Sequence, residues 1–105
     1  MTDQTPKTDH LALYAYPTCP FCRRVSKAID DLGLEVEYRN IHQDRAAYQA
    51  LLQARGRGTV PVLRIDGEGG DTWMPESADI VDYLYKEFGN GRTPPRSGGL
   101  FGLFG

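Results

Sequence analysis

Cysteine is scarce in this chain of 105 residues, which contains only Cys19 and Cys22. So few cysteines exclude a small secreted scaffold held together by several disulfides, and we expect a reducing, cytoplasmic location. Histidine is equally scarce, so a zinc site would have to combine the two cysteines with His10 and His42 without a second paired motif. We therefore expect no metal site, and we expect His10 to be a solvated residue at the start of the first strand.

Long hydrophobic runs are absent, and neither sign of charge is in large excess. No apolar stretch approaches the ~20 residues that a membrane-spanning helix requires, and residues 1–10 lack the apolar core of a secretory signal. A net charge of −2 with 25% charged residues is ordinary for a soluble protein and indicates no nucleic-acid partner. With 40% hydrophobic residues, the chain suits one domain with a modest core, and we expect a monomer without a membrane partner.

Hydrophobic periodicity predicts alternating strands and helices. Short apolar or alternating stretches predict strands, whereas apolar residues at helical spacing, such as Val25, Ala28 and Leu32, predict helices. Asp44 and Ser77 are predicted N-caps, and glycines mark the carboxyl ends. The predicted strands cover residues 11–16, 34–38, 60–65 and 72–74, and the predicted helices run from Pro20 to about Leu32, from Asp44 or Arg45 to Arg55, and from about Ser77 to Phe88, ending at Gly33, Gly56 and Gly89.

The order β-α-β-α-β-β-α predicts an α/β fold. A strand, a crossing helix and another strand form a parallel pair, so we expect a four-stranded mixed sheet with helices on both faces. The domain should cover residues 10–89. Residues 1–9 are predicted to be a flexible lead-in, and residues 90–105 a Gly/Pro-rich apolar tail without regular structure. The repeated Leu-Phe-Gly of this tail leaves open a docking role, a partner contact or no role at all.

The two cysteines lie where the first strand passes into the first helix. Pro20 suits the first helical position and places Cys19 at the helix N-terminus, where free amides and the helix dipole favour an anion. Arg23 and Arg24 add positive charge, and we expect Cys19 to be a nucleophilic thiolate. Cys22 lies one turn further on and faces inward, as a resolving thiol would. A permanent structural disulfide is the alternative, but so small a loop constrains the unfolded chain little.

The chain resembles the glutaredoxin family over about Leu11 to Phe88. The resemblance rests on three motifs, which are C-P-F-C at residues 19–22, T-V-P at 59–61 and P-E-S-A-D-I at 75–80. It implies the thioredoxin fold and a glutathione site. The third motif is also similar to the Glu-Ser segment in the N-terminal domain of glutathione transferases.

The resemblance further implies which residues bind glutathione. Pro61 would follow a cis peptide bond, and the main chain of Val60 would pair with the cysteinyl part of glutathione as an added strand does. Glu76 and Ser77 would hold the γ-glutamyl end, and Arg57 would reach the glycyl carboxylate. The implied glutathione-binding residues are Tyr16, Arg57, Thr59, Val60, Pro61, Glu76, Ser77 and Asp79, with Pro20, Phe21, Arg23 and Arg24 supporting the two cysteines.

The same resemblance implies a glutathione-dependent thiol-disulfide oxidoreductase. Cys19 would attack protein-glutathione mixed disulfides, glutathione would be the co-substrate, and Cys22 would resolve protein disulfides. The expected partners are glutathione and glutathionylated or disulfide-bonded proteins. The alternative is a module that binds a [2Fe-2S] cluster with glutathione as a ligand. Cluster-carrying relatives usually have C-G-F-S or a small residue in place of Pro20, so Pro20 and Cys22 argue against it.

Overall fold

A computed structural model describes residues 8–94 of the chain. The predicted lead-in and tail lie outside this range, apart from residues 8, 9 and 90–94. Seven elements follow one another in the predicted order. The strands are β1 (Leu11–Ala15), β2 (Glu37–Asn40), β3 (Val62–Gly67) and β4 (Gly70–Pro75), and the helices are α1 (Pro20–Asp31), α2 (Arg45–Arg55) and α3 (Ser77–Phe88).

The strands form one mixed sheet in the order β2-β1-β3-β4. β1 pairs with β2 in parallel, as expected for strands joined by a crossing helix. β1 and β3 are antiparallel, and so are β3 and β4. The predicted four-stranded mixed sheet is therefore confirmed.

Both faces of β1 are buried, which produces two hydrophobic layers on one sheet. Leu11, Leu13 and Ala15 pack with residues of α1 and α3. Ala12 and Tyr14 point to the opposite face, where α2 covers them through buried residues such as Ala47 and Leu51. Alternate residues of a strand point to opposite faces, so a strand without polar positions needs cover on both sides. We call the two sets the α1/α3 layer and the α2 layer.

The second strand begins later than predicted, because Leu34 belongs to the end of α1. Leu32 is the C-cap, and Gly33 follows it with φ +68°. The Gly33 amide donates to the Asp30 carbonyl and the Leu34 amide to the Ile29 carbonyl, each at 3.0 Å. These two bonds form a Schellman motif, in which the residue after the glycine packs back on the helix. The strand predicted over residues 34–38 therefore starts three residues too early, and β2 covers Glu37–Asn40.

The hairpin between β3 and β4 also differs from its predicted bounds. Both strands continue through the stretch read as a turn, since Asp66 pairs with Asp71 and Gly67 with Gly70. Only residues 68 and 69 form the loop, and a two-residue loop is the commonest hairpin connection. The aspartates that indicated a turn are exposed strand residues. At its start β3 begins at Val62, two residues later than predicted.

The predicted caps Asp44, Gly56 and Gly89 are confirmed, and the predicted cap Ser77 is wrong. The Asp44 carboxylate accepts the Ala47 amide at 3.1 Å, Gly56 closes α2 with φ +75°, and Gly89 is the C-cap of α3. At the start of α3, however, Glu76 occupies the N-cap position and Ser77 is the first helical residue. Within residues 8–94, no helix has the length and apolar character needed to cross a membrane.

Candidate active site

Cys19 is the N-cap of α1, as the proline after it predicts. Its backbone is extended, with φ −80° and ψ 119°, and its amide donates to the Tyr16 carbonyl at 3.2 Å. Its Sγ accepts the amide hydrogen of Cys22, with 3.2 Å between nitrogen and sulfur. A helix N-terminus carries partial positive charge, and a hydrogen bond from a main-chain amide stabilises an anionic acceptor. The Cys19 sulfur therefore lies where the helix and a main-chain amide can stabilise an anion.

Cys22 is more deeply buried than Cys19 and has a different character. Both are free thiols, and the exposed fraction is 1% for Cys22 and 5% for Cys19. Burial is the main reason why the pKa of Cys22 rises from 9.0 to about 12, and the neighbouring Cys19 side chain raises it further. At neutral pH the Cys22 thiol keeps its proton. A protonated thiol is a poor nucleophile, so Cys22 is poorly suited to attack in this state.

Two exposed arginines follow Cys22 in the first turns of α1. Arg23 and Arg24 are exposed, and the first turn of α1 contains no acidic residue. Within residues 8–94, neither arginine forms a salt bridge. The Arg24 guanidinium lies 5.9 Å from the centre of the Phe21 ring, which is 57% exposed between the two cysteines. These two positive charges are therefore not paired with carboxylates in the described residues.

One residue beside the site was missed by the sequence analysis. The His42 imidazole stacks on the Tyr16 ring, with centroids 4.2 Å apart and planes 19° from parallel. Parallel strands end at the same edge of a sheet, and the Ile41 amide donates to the Ala15 carbonyl at 3.0 Å. His42 and Tyr16 follow these two residues, so the parallel pairing was a signal that could have brought them together.

The Val60–Pro61 peptide bond is cis, as the resemblance implies. Pro61 is buried, Val60 is half-buried, and Thr59 is exposed. A Cβ atom at Gly58 would lie 2.6 Å from the outer end of the Tyr48 ring of α2. The turn therefore passes close to α2 at Gly58.

Strand pairing brings three predicted site segments to one end of the sheet. Val62 pairs with Tyr14 of β1 and with Pro75 of β4. The cysteine loop follows β1, the cis turn precedes β3, and the Glu76–Ser77 segment follows β4. Each segment adjoins one of these three paired residues or its neighbour, so the three segments lie side by side.

The start of α3 has an unusual backbone. Glu76 is exposed and adopts φ +75° and ψ 113°, a conformation that costs energy for a residue with a Cβ atom. Ser77 is buried, whereas Asp79 is exposed in the first helical turn. Arg57 is exposed after Gly56. Neither Arg57 nor Asp79 forms a salt bridge within residues 8–94.

Within the described part of the chain, no group of three or more His, Cys, Asp or Glu side chains is arranged to hold a metal ion.

The sheet order, the C-x-x-C pair at the start of α1 and the cis-proline before β3 define a thioredoxin-like protein. Residues 13–94 match the family described as glutathione S-transferase, N-terminal domain. The chain therefore belongs to that family. The predicted thioredoxin-like fold is confirmed.

Two curated relatives match this chain, one a glutaredoxin and the other a synthase. Glutaredoxin 3 of Escherichia coli K12 is 27% identical over 81 residues, which are 73% of this chain and 98% of glutaredoxin 3. Pyrimidodiazepine synthase of Drosophila melanogaster is 31% identical over 86 residues, which are 79% of this chain but only 34% of the synthase. The predicted resemblance to glutaredoxins is confirmed, and the chain spans about a third of the larger relative.

Two solved structures that match this chain belong to longer proteins. The trimeric glutathione transferase TDR1 of Leishmania matches with a TM-score of 0.63 and 30% identity, over 76% of this chain and 18% of that one. A maleylacetoacetate isomerase of Anaeromyxobacter dehalogenans, solved with bound dicarboxyethyl glutathione and citrate, matches with a TM-score of 0.60 and 27% identity. That match covers 83% of this chain and 41% of the isomerase.

Proposed function

We propose that this protein is a glutathione-dependent thiol-disulfide oxidoreductase of the glutaredoxin type. The observation that carries the proposal is the Cys19 sulfur, which accepts the Cys22 amide at a helix N-terminus beside a buried second thiol. The family match and the relatives support a glutathione-related redox or transferase role. The pair of free thiols is what favours redox chemistry within that range.

In the first step, the Cys19 thiolate attacks the glutathione sulfur of a protein-glutathione mixed disulfide. The bond between the glutathione and client sulfurs breaks, a Cys19-glutathione disulfide forms, and the client leaves as a thiolate that takes a proton from water. Arg23 and Arg24 stabilise the negative charge before attack. A second glutathione thiolate then attacks the bound glutathione sulfur, which releases oxidised glutathione and restores Cys19.

Protein disulfides require Cys22 as well. After Cys19 attacks, the client is held in a mixed disulfide, and Cys19 no longer carries negative charge or a free thiol. One cause of the raised Cys22 pKa is thereby removed, although burial remains. Cys22 then attacks the Cys19 sulfur, forms the intramolecular disulfide and releases the client thiol.

Glutathione would lie across the end of the sheet. The Val60 main chain is the proposed partner of its cysteinyl residue, in the manner of an added strand. Glu76 and Ser77, which leave β4 beside the cis turn, would bind the γ-glutamyl end, where helix amides favour its carboxylate. Tyr16, Thr59, Arg57 and Asp79 complete the proposed set.

The test compares Cys19→Ser with Cys22→Ser in turnover of a glutathionylated peptide, with glutathione as reductant. We expect no turnover by the Cys19 variant and retention of most of the rate by the Cys22 variant, because only the first sulfur performs the monothiol reaction. Reduction of a protein disulfide should require both. Equal loss of deglutathionylation in both variants would contradict the assigned roles.

A transferase-type role is the second candidate, favoured by the family match. The same preparations are assayed for conjugation of glutathione to an aryl halide. Conjugation by the wild type without turnover of mixed disulfides would replace the first proposal with the second.

A further inference from the structure

The outer side of α1 next to Cys19 carries positive charge in a protein whose net charge is −2. Arg23 and Arg24 are exposed without a salt bridge within the described residues, and the first turn has no carboxylate. Lys27 follows one turn later with 73% of its side chain exposed. Its partner is Asp31 at 3.5 Å, a distance typical of a weak surface pair. The charge on this side of α1 is therefore available to a ligand.

A shallow groove of about 580 Å³ runs along this charged surface. It starts at Pro20, directly after Cys19, and ends at Asp30 near the carboxyl end of the helix. We call it the α1 groove, and its lining residues are Pro20, Arg23, Arg24, Ser26, Lys27 and Asp30. None of the residues proposed to bind glutathione lines it, so a client and glutathione need not compete for it.

We propose that the α1 groove docks an acidic segment of the client protein while the client's reactive sulfur meets Cys19. The proposal rests on the thiol chemistry proposed for Cys19. Arginine binds carboxylates through paired hydrogen bonds, and Arg23 and Arg24, which form no salt bridge within residues 8–94, offer such sites. The Phe21 ring, exposed and lying under Arg24, provides an apolar contact beside the client sulfur. Charge complementarity thus selects clients with Asp or Glu near the reacting cysteine.

The test uses Cys22→Ser protein and two peptides that differ only in charge. Each has one cysteine carried as a disulfide with thionitrobenzoate, flanked by Asp and Glu in one peptide and by Asn and Gln in the other. The Cys19 thiolate attacks the peptide sulfur, a Cys19-peptide disulfide forms, and the coloured thionitrobenzoate anion leaves. The reaction consumes no glutathione, so it proceeds whether or not the glutathione-dependent cycle is correct.

We expect the second-order rate constant to be about five-fold higher for the acidic peptide at low salt, as two exposed ion pairs would give. This preference should decline toward one in 0.5 M salt because the charges are then screened. Arg23→Gln and Arg24→Gln should each lower the ratio of the two rate constants. That ratio separates docking from stabilisation of the thiolate, which changes both rate constants alike.

Lys86→Gln is the matched control, since it removes one exposed positive charge in the last turn of α3. It should leave the ratio unchanged. Equal rate constants for the two peptides, or a ratio that the arginine variants do not alter, would overturn the docking proposal. Failure of the proposed function gives a different result, in which stoichiometric exchange keeps its charge preference but glutathione supports no turnover.

Discussion

Burial of Cys22 lowers the reactivity of its thiol and makes the free energy of unfolding depend on pH. The pKa of this thiol is raised to about 12 in the folded protein from an ordinary 9.0. Above pH 9 the unfolded chain loses the proton that the folded chain retains, so the free energy of unfolding falls as pH rises. We expect the reduced wild type to lose more stability between pH 8 and pH 10.5 than Cys22→Ser does, measured by urea unfolding.

Two tyrosines also titrate in this range. Burial is the main cause that raises the pKa of Tyr38 and of Tyr83 above 10.0, and both tyrosines are present in each protein. The burial contribution cancels in the difference between wild type and variant, whereas the smaller contribution of Cys22 to the Tyr38 shift is lost in the variant and acts in the same direction as the expected difference. Parallel stability curves for the two proteins would show that the Cys22 thiol is not shielded from water as described.

Glu76 provides a second test at the scale of one residue. Its φ of +75° is costly for any residue with a Cβ atom, whereas glycine adopts it readily. We expect Glu76→Gly to be more stable than Glu76→Ala by about 1 kcal/mol in urea unfolding, although glycine normally destabilises a folded segment. Both variants remove the carboxylate and should raise the KM for glutathione alike. Greater stability of the alanine variant would show that this backbone conformation is not maintained in solution.

Helix α2 is capped at both ends. The Asp44 carboxylate accepts the Ala47 amide at the first turn, and Gly56 closes the last one. Asp44→Ala should lower the free energy of unfolding by about 1 kcal/mol because it leaves that amide without its cap. Asp44→Ser, which keeps a capping oxygen, should lose much less. Equal losses in the two variants, measured by urea unfolding, would mean that the cap contributes nothing specific.

The whole molecule consists of two hydrophobic layers that share one sheet. Leu13 lies in the α1/α3 layer and Leu51 in the α2 layer, and neither side chain is exposed. We expect Leu13→Ala and Leu51→Ala each to lower the stability by about 2–5 kcal/mol, with a single unfolding transition in both. Circular dichroism during urea unfolding checks this. A second transition in Leu51→Ala alone would show that α2 unfolds separately.

Much of this architecture is predictable from sequence, because periodicity and caps act locally. Local sequence predicts β1 from its uniformly apolar residues, the helices from their amphipathic spacing, and the end of α2 from its glycine. The bounds of β2 do not, since Leu34 looks like a strand residue and packs instead as the last residue of a Schellman motif. The start of α3 was also misassigned, because serine is a better cap than glutamate and only tertiary structure sustains the φ of Glu76.

The candidate site is also predictable only in part from the sequence. Cys19, Pro20 and Cys22 are adjacent in sequence, so their arrangement follows from the rules for helix N-termini. The stack of His42 on Tyr16 depends on the pairing of two strands, and nothing local indicates it. The side-by-side placement of the cis turn and Glu76 likewise requires the register of three strands.

Tyr16 and Val60, which flank the cysteine loop and the cis turn, contact both hydrophobic layers. A random mutagenesis screen for altered turnover should therefore recover variants in α2 as well as in α1 and α3. Changes of side-chain volume on the far face of the sheet would reach the reacting sulfur through these two residues. An engineer who wishes to retune this protein can begin on the helix that contains no cysteine.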